Sequence, residues 1–401
     1  MIPTSELNCL IKSSSHLWRT SRASKVEEVA KLRVSFDTGR EFESRPVHHY
    51  FSIHLPLSVS LICKYIFIKG LTYRVRYRLF REDYALAKTI RLGTYNVNNL
   101  FDRFDDPYNF SDDPWRERFA SKPKKLEDLY NLGQRILKSE VDILALQEIE
   151  SLGALKEFVA GHLGKKDFKE YGIVSVSGND PRGIDLGVIS KYPLGEVTSH
   201  RFHRHEGTWI FSRDCLEVEI LDKAGGQPFL TLFVSHLKSQ FSEHKIGTTE
   251  WKKDKEENDA KRKRQLEKTL DIVKRSGKDT YAILGDFNDS PESPSIKWFI
   301  DANVGVGNGI ELFDALATIR CKPEFEPYTG EDSPKKRKRD THKWEKDKEK
   351  GHEETTYSQL DYIFLSGNLQ QAFKSAQIEQ SWYTSGSDHY LCYADVKFAN
   401  L

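Results

Sequence analysis

Five polar residues of catalytic type sit directly behind or within short apolar runs. They are Asn96 in TYNVNN, Glu148 in ALQE, His236 in FVSHLKS, and Asp286 and Asn288 in ILGDFND. Two further pieces lie near the C-terminus, QLDYIFLS with Asp361 and SGSDHY with Asp388 and His389. The set combines imidazoles, carboxylates and amides without thiols, which suits divalent-metal hydrolysis of a phosphate ester. A hard cation such as Mg²⁺ takes one or two carboxylate oxygens together with waters and substrate phosphate. The Asp and Asn of GDFN could orient an attacking water, while imidazoles move protons near neutral pH. Each residue alone has an ordinary structural reading: a carboxylate after a strand is often a helix N-cap, and a lone histidine is often a satisfied structural group. Their joint placement carries the signal.

The elements that must position them begin at Ile90, where short apolar runs alternate with charged amphipathic segments of helix length. This texture predicts an α/β domain. Strands are expected at 90–95, 143–147, 185–190, 215–221, 230–235, 281–284, 360–365 and 391–398. Helices are expected at 124–139, with an apolar face of Leu126, Leu129, Tyr130, Leu132, Ile136 and Leu137, and at 260–275 through Leu266, Leu270 and Val273. In α/β sheets ligands bind at the carboxyl ends of strands, so Asn96, Glu148, His236, Asp286 and Asn288 should converge at one rim.

Residues 1–88 show no sustained period and remain unassigned, best read as a loosely structured extension. The domain proper is expected over 88–400. Two charge-dense stretches interrupt it. WKKDKEENDAKRKR at 251–264 reads as the solvated face of a helix and its lead-in loop. The region 322–356 reads as a charged flexible insertion; within it PKKRKR, whose cationic part runs from Lys335 to Arg339, has the form of a nuclear import signal or a polyanion-contacting patch.

The 401 residues carry 61 Lys plus Arg against 60 Asp plus Glu, so a polyanion would have to be met by a local patch and not by the molecule as a whole. Cys9, Cys63, Cys215, Cys321 and Cys392 form no CxxC pair, and neither a zinc site nor a disulfide framework follows. The most apolar stretch, 55–68, is short and interrupted by Lys64, so no stable membrane insertion is expected.

The ordered series TYNVNNLF, LALQEIE, RGIDLGVIS, SHLKS, LGDFND, LDYIFLS and SDHY resembles the endonuclease/exonuclease/phosphatase superfamily, the group of deoxyribonuclease I and exonuclease III. The resemblance implies a deoxyribonuclease I-like four-layer α/β sandwich, two packed mixed β-sheets flanked by helices. It implies Glu148 as principal metal ligand, Asn96 supporting the metal or phosphate, and Asp388 as second metal-side carboxylate. Asp286 and Asn288 would position the water, His389 would face the scissile phosphate, and Asp361 would hold His389 in its productive tautomer. His236 would protonate the leaving oxygen. Mg²⁺ is the implied cofactor, with Mn²⁺ or Ca²⁺ as alternatives.

Asp185 in RGID either orients His236 or is a strand-edge carboxylate. Asn98 stands where many members carry an acidic residue, which weakens the case for a second metal there. Arg182 and Lys238 are candidate phosphate contacts, or plain surface cations. One scaffold serves several phosphate esters. The signature WCDR, expected in inositol phosphatases, is replaced by YSQLDYIFL. The HLKS and RGID forms resemble deoxyribonuclease-like members, so a nuclease acting on DNA or RNA is the first expectation. A lipid or small-molecule phosphodiesterase is the alternative, and a non-catalytic binding module the third reading. The sequence favours an intracellular location, with a nuclear one allowed by Lys335 to Arg339.

Overall fold

Alternation of apolar and polar residues after residue 88 builds two sheets whose inner faces meet. The computed structural model describes residues 29–36, 51–56, 65–68, 71–79, 87–102, 123–164, 168, 172–304, 310–319, 339–345, 354–380 and 386–398. The chain divides into two units, Met1–Ala85 and Leu86–Leu401.

In the first unit, β1 (Val29–Phe36), β2 (Phe51–Pro56), β3 (Tyr65–Ile68) and β4 (Leu71–Leu79) pair antiparallel in the order β2-β1-β4-β3. The expectation of no strand period in 1–88 is therefore corrected. The run LTYRVRYRL of β4 does alternate apolar with Thr and Arg along its nine residues, which is the period-two signal of a strand.

In the second unit the order is β5 (Lys88–Leu100), α1 (Leu126–Ser139), β6 (Ile143–Ile149), α2 (Leu152–Phe158), β7 (Ile173–Val176), β8 (Asp185–Ser190), β9 (Leu194–Ser199), β10 (Arg204–His205), β11 (Thr208–Trp209), β12 (Cys215–Leu221) and β13 (Pro228–His236). Then follow α3 (Thr249–Ser276), β14 (Tyr281–Asp286), α4 (Pro294–Val304), β15 (Leu312–Asp314), β16 (His342–Trp344), β17 (Thr356–Ser358), β18 (Asp361–Ser366), α5 (Gly367–Gln370), β19 (Phe373–Glu379) and β20 (Leu391–Phe398). Among the described residues, two six-stranded mixed sheets form, in the orders β19-β20-β5-β6-β8-β7 and β15-β18-β14-β13-β12-β9. β5 runs parallel to β6 and β13 parallel to β14, while their other neighbours are antiparallel.

Strand period decides which residues see the other sheet. Ile90, Leu92, Ile143 and Ala145 of one sheet pack with Leu232, Val234, Ala282, Leu284, Ile363 and Leu365 of the other, and every one is at most 1% exposed. The alternate residues face outward: Tyr95, Leu144 and Leu146 meet Leu132 and Ile136 of α1, and Phe233, Ile283 and Phe364 meet Leu266 of α3 and Phe299. The result is the four-layer α/β sandwich, with helices on both outer faces. Burying a side chain such as Leu232 stabilises the fold by about 1.5–3 kcal/mol.

Two helical expectations change. On α1 the apolar face is only partly covered: Leu132 and Ile136 are buried, but Leu126 and Tyr130 stand 74% and 56% exposed. The charge-dense 251–264 contains no lead-in loop, because α3 already starts at Thr249. The Thr248 hydroxyl caps it by accepting from Trp251 N–H at 3.2 Å, and mixed charges support it through i,i+4 pairs such as Lys253 with Glu257. Buried Arg262, paired with Asp259 and Asp289, shows that this face is not wholly solvated either.

The expected flexible insertion also changes in part. Within 322–356, Asp340, Thr341 and His342 are buried, and β16 pairs with β17. The Thr341 hydroxyl accepts from Leu360 and Asp361 N–H at 2.8 and 3.0 Å, which ties this segment to the start of β18. Lys335 and its cationic neighbours up to 338 lie outside the described residues. Among the described residues no helix is long and apolar enough to cross a membrane. Cys215 and Cys392 are buried free thiols.

Candidate active site

The same alternation that buries the inter-sheet core delivers the polar residues to its rim. His236 continues the inward series of Leu230, Leu232 and Val234; Asp286 continues Ala282 and Leu284; Asp361 begins the series of Ile363 and Leu365. Backbone pairing sets His236 beside Asp286 and Asp286 beside Asp361 across three strands. Gly285 makes the closeness of β13 and β14 feasible: its φ is 143°, and a Cβ there would fall 1.8 Å from the Ser235 carbonyl oxygen.

Glu148 reaches the rim by a break in the pattern. On β6, Ile143 and Ala145 face inward and Leu144 and Leu146 outward, so strict alternation would send Glu148 toward the helices. Instead the register slips between Gln147 and Ile149 against β8, Glu148 takes φ 65°, and Ile149 joins the outer core. This is a β-bulge that re-aims one side chain, and the left-handed backbone of a non-glycine residue costs about 1 kcal/mol or more. A second irregularity, in β5 beyond Asn96, places Asn98 and Asn99 at φ 49° and 60°. Asn99 N–H then donates to Glu148 Oε2 at 3.1 Å.

Asn96, Asn98, Glu148, His236, Asp286, Asn288, Asp388 and His389 line one cavity of about 1000 Å³, together with Arg182, Arg213, His342 and Trp344, while Asp361 lies buried behind His389. At its floor the Asn96 amide donates to Asp286 Oδ2 at 3.0 Å and to Glu148 Oε1 at 3.3 Å. Asn288 donates its backbone N–H to Asp286 Oδ1 at 2.8 Å and its amide to Asp286 Oδ2 at 3.2 Å. Two imidazoles flank the same carboxylate: His236 Nε2 lies 3.3 Å and His389 Nε2 3.7 Å from Asp286 Oδ2. His389 Nδ1 lies 2.8 Å from Asp361 Oδ2, with the carboxylate fully buried behind it. On the far side the Asn98 amide donates to Asp388 Oδ1 at 2.9 Å, and His342 Nε2 is 3.6 Å from Asp388 Oδ2.

The electrostatics separate the two imidazoles. Burial lowers His389, but Asp361 and Asp286 outweigh it and push the ring up to about 10. Burial and the Arg213 charge lower His236, against the opposing pull of Asp286 and Glu148. The imidazole expected to protonate the leaving oxygen is thus the less basic of the pair. Burial raises Asp286, yet the two imidazoles and the Asn96 amide hold it well below the usual carboxylate range.

Several sequence expectations shift. Asp185 does not orient His236: its Oδ1 accepts Gly178 N–H at 2.6 Å, and His236 Nδ1 has no hydrogen-bond partner. Its place at the start of β8, on the opposite sheet from β13, gives it a backbone donor nearer than the ring. Lys238 does not line the cavity; its backbone is held by Gln265 and Arg262 of α3. Arg182 does line it, doubly bonded to Asp180 at 3.0 Å. The Asn96 oxygen accepts from Asn98 N–H at 2.9 Å, and the amide nitrogen faces the carboxylates.

Among the lining residues that sequence reasoning missed are Arg213 and His342. Arg213, 2% exposed and ion-paired to Asp180 at 2.9 Å, precedes β12 in SRDC, a setting that looks like any strand entrance. Burial pushes the Asp180 carboxyl up, but Arg182 and Arg213 bring it down to about 2. His342 is hidden in a charged run, and its ring packs 4.6 Å from that of His389.

The donor chemistry fits a hard divalent cation. Glu148, Asp286 and Asp388 bring carboxylates to one cavity, and no thiol lines it among the described residues. His342, Asp388 and His389 present ligand atoms within 4.8 Å of one another, as do Asp286, Asp361 and His389. Asp361 is spent on His389 and Asp286 is 1% exposed, which leaves Glu148 and Asp388 as the more accessible of the motif carboxylates. These groups could hold a cation.

The model of the endonuclease/exonuclease/phosphatase family matches residues 91–326. No curated protein matches the chain. Among solved structures, an endonuclease/exonuclease/phosphatase from Bacteroides vulgatus is similar at 15% identity and TM-score 0.46, over 78% of this chain and 99% of that one. TDP2 from Caenorhabditis elegans is similar at 15% identity and TM-score 0.45, over 78% and 75%. The human Nocturnin catalytic domain is similar at 16% identity and TM-score 0.45, over 78% and 98%.

Proposed function

Because this chain belongs to the endonuclease/exonuclease/phosphatase family, we propose that it is a divalent-metal-dependent hydrolase of phosphodiester bonds whose substrate is nucleic acid. The observation that carries the reading is the convergence of Asp286, flanked by both imidazoles, with Glu148 and Asp388 on one cavity. Glu148 and Asp388 would hold the cation, Mg²⁺ in this reading, which when bound polarises the phosphoryl oxygens and offsets the charge that builds on them.

The chain's own groups do the rest. Asp286, ionised and hydrogen-bonded by Asn288, orients the attacking water and draws on its proton. His389, kept charged by Asp361, faces the phosphate and stabilises its developing negative charge. His236 gives the leaving oxygen its proton, which Asp286, 3.3 Å away, can restore from the attacking water. Arg182 meets substrate phosphate at the cavity lining, while Arg213, 2% exposed and paired with Asp180, adds positive potential there.

The test measures cleavage of supercoiled plasmid, single-stranded RNA and bis-p-nitrophenyl phosphate with Mg²⁺ and with EDTA. Metal-dependent cleavage of a nucleic acid, lost in Asp286→Ala, is expected. No cleavage of any substrate, with the variant equal to wild type, would sink the enzyme reading. Cleavage of the small diester alone would move the substrate to a lipid or small-molecule phosphodiester.

A further inference from the structure

The hairpin of β10 and β11 joins aromatic surface to positive charge within one loop of the cavity. Its sequence, HRFHRHEGTW at 200–209, sets Arg204 over the Trp209 ring at 3.8 Å and Arg201 over the Phe202 ring at 4.6 Å. Phe202 also meets Trp209 edge-on at 5.9 Å, yet stands 63% exposed. A pair needed only to close a hairpin would turn both rings inward, whereas here most of one ring faces water with guanidinium groups beside it.

The hairpin is tied to the wall of the active site. Arg201 donates to the Ser177 and Gly178 carbonyls, and the Asn179 amide donates to Arg201 O at 2.8 Å. The same 177–183 loop carries Arg182, which lines the cavity, and Asn179 N–H donates to the carbonyl of Arg213, which lines it too. The hairpin is therefore joined through one loop to Arg182 and Arg213 of the cavity lining, both paired with Asp180.

We propose that this hairpin is a docking platform for single-stranded nucleic acid, Phe202 stacking on an unpaired base while Arg201 and Arg204 meet the adjoining phosphates. Every base has a stacking face, which a duplex hides, and aromatic side chains flanked by arginine are the chemistry that holds single strands. This deepens the reading of the cavity as a nuclease site, on which it rests for its place along the strand, but it makes a separate claim about binding.

The test is fluorescence anisotropy in EDTA, so that no cleavage occurs, with a labelled 25-nucleotide single strand, as DNA and as RNA, and the matching DNA duplex. Wild type binds the single strands more tightly than the duplex, and Phe202→Ala with Arg204→Ala weakens single-strand binding about tenfold or more. Because a loss could also follow from misfolding, Glu206→Lys is measured beside it. Glu206 is 85% exposed in the hairpin turn, and the added cation should tighten binding and steepen its salt dependence by about one unit of slope. Wild-type binding that is absent or favours duplex, or a double variant with unchanged affinity and a Glu206→Lys variant no tighter than wild type, overturns the proposal. Hydrolysis of bis-p-nitrophenyl phosphate by wild type, measured separately with Mg²⁺, reports on the catalytic reading alone. The platform can thus fail while the catalytic site stands, and the reverse.

Discussion

His389 is held by Asp361: the ring Nδ1 and a wholly buried carboxylate oxygen are 2.8 Å apart, although 28 residues separate them in the chain. The bond helps keep the ring charged and points Nε2 at Asp286. In Asp361→Asn the countercharge is gone and the ring holds its proton less firmly. The expected outcome is a fall in kcat of about 10²–10⁴-fold with little change in KM, read on a cleavable diester. A loss below about threefold would show that Asp361 merely fills the core.

Glu148 is positioned by a strained bulge and 14% exposed at its side chain, so it can meet a cation while barred from most solvent. Glu148→Gln keeps the shape and removes the charge. Calorimetric titration with Mg²⁺ or Mn²⁺ should show affinity weakened at least about tenfold, and EDTA should abolish turnover in wild type. Unchanged affinity would move the cation to Asp388 and the imidazoles.

Burial pushes Asp185 up to about 7 from 3.8, despite the Gly178 N–H bond that favours its ionised form. Between those values the folded chain binds more protons than the unfolded chain, so stability falls as pH rises through about 4 to 7. Asp185→Asn retains an acceptor for Gly178 N–H without the charge. Melting curves at pH 4.5 and 7.5 should show wild type losing stability across the window, by up to about 4 kcal/mol, and the variant not. Equal slopes for the two chains would refute it.

Asp180 neutralises Arg213, which is nearly inaccessible, and it does so at 2.9 Å. Asp180→Ala removes the carboxylate partner of that guanidinium, which keeps its bond to the Leu237 carbonyl at 3.0 Å. Urea denaturation should show a loss of about 3–5 kcal/mol, and adding Arg213→Met should recover part of it. A loss under about 1 kcal/mol would mean that water reaches the site.

Much of this was legible in one dimension because strand chemistry is local. Apolar runs such as those of β13 and β14 announced strands, the polar residue at the end of each announced a rim, and the motif order announced the family. The pairing of Asp361 with His389 was implied by the family resemblance alone, because β18 and the segment before β20 belong to different sheets. Other features depend on contacts that no local pattern encodes. Glu148 faces the cavity because a bulge breaks the very alternation used to read β6. Asp185 binds Gly178 instead of His236 because the two belong to opposite sheets. Asn98 meets Asp388 across 290 residues, and Arg213 and His342 enter the site from stretches that resemble an ordinary strand entrance and an ordinary charged run. Side-chain type and period are properties of neighbours in sequence, whereas hydrogen-bond partners are chosen by proximity after the sheets have packed.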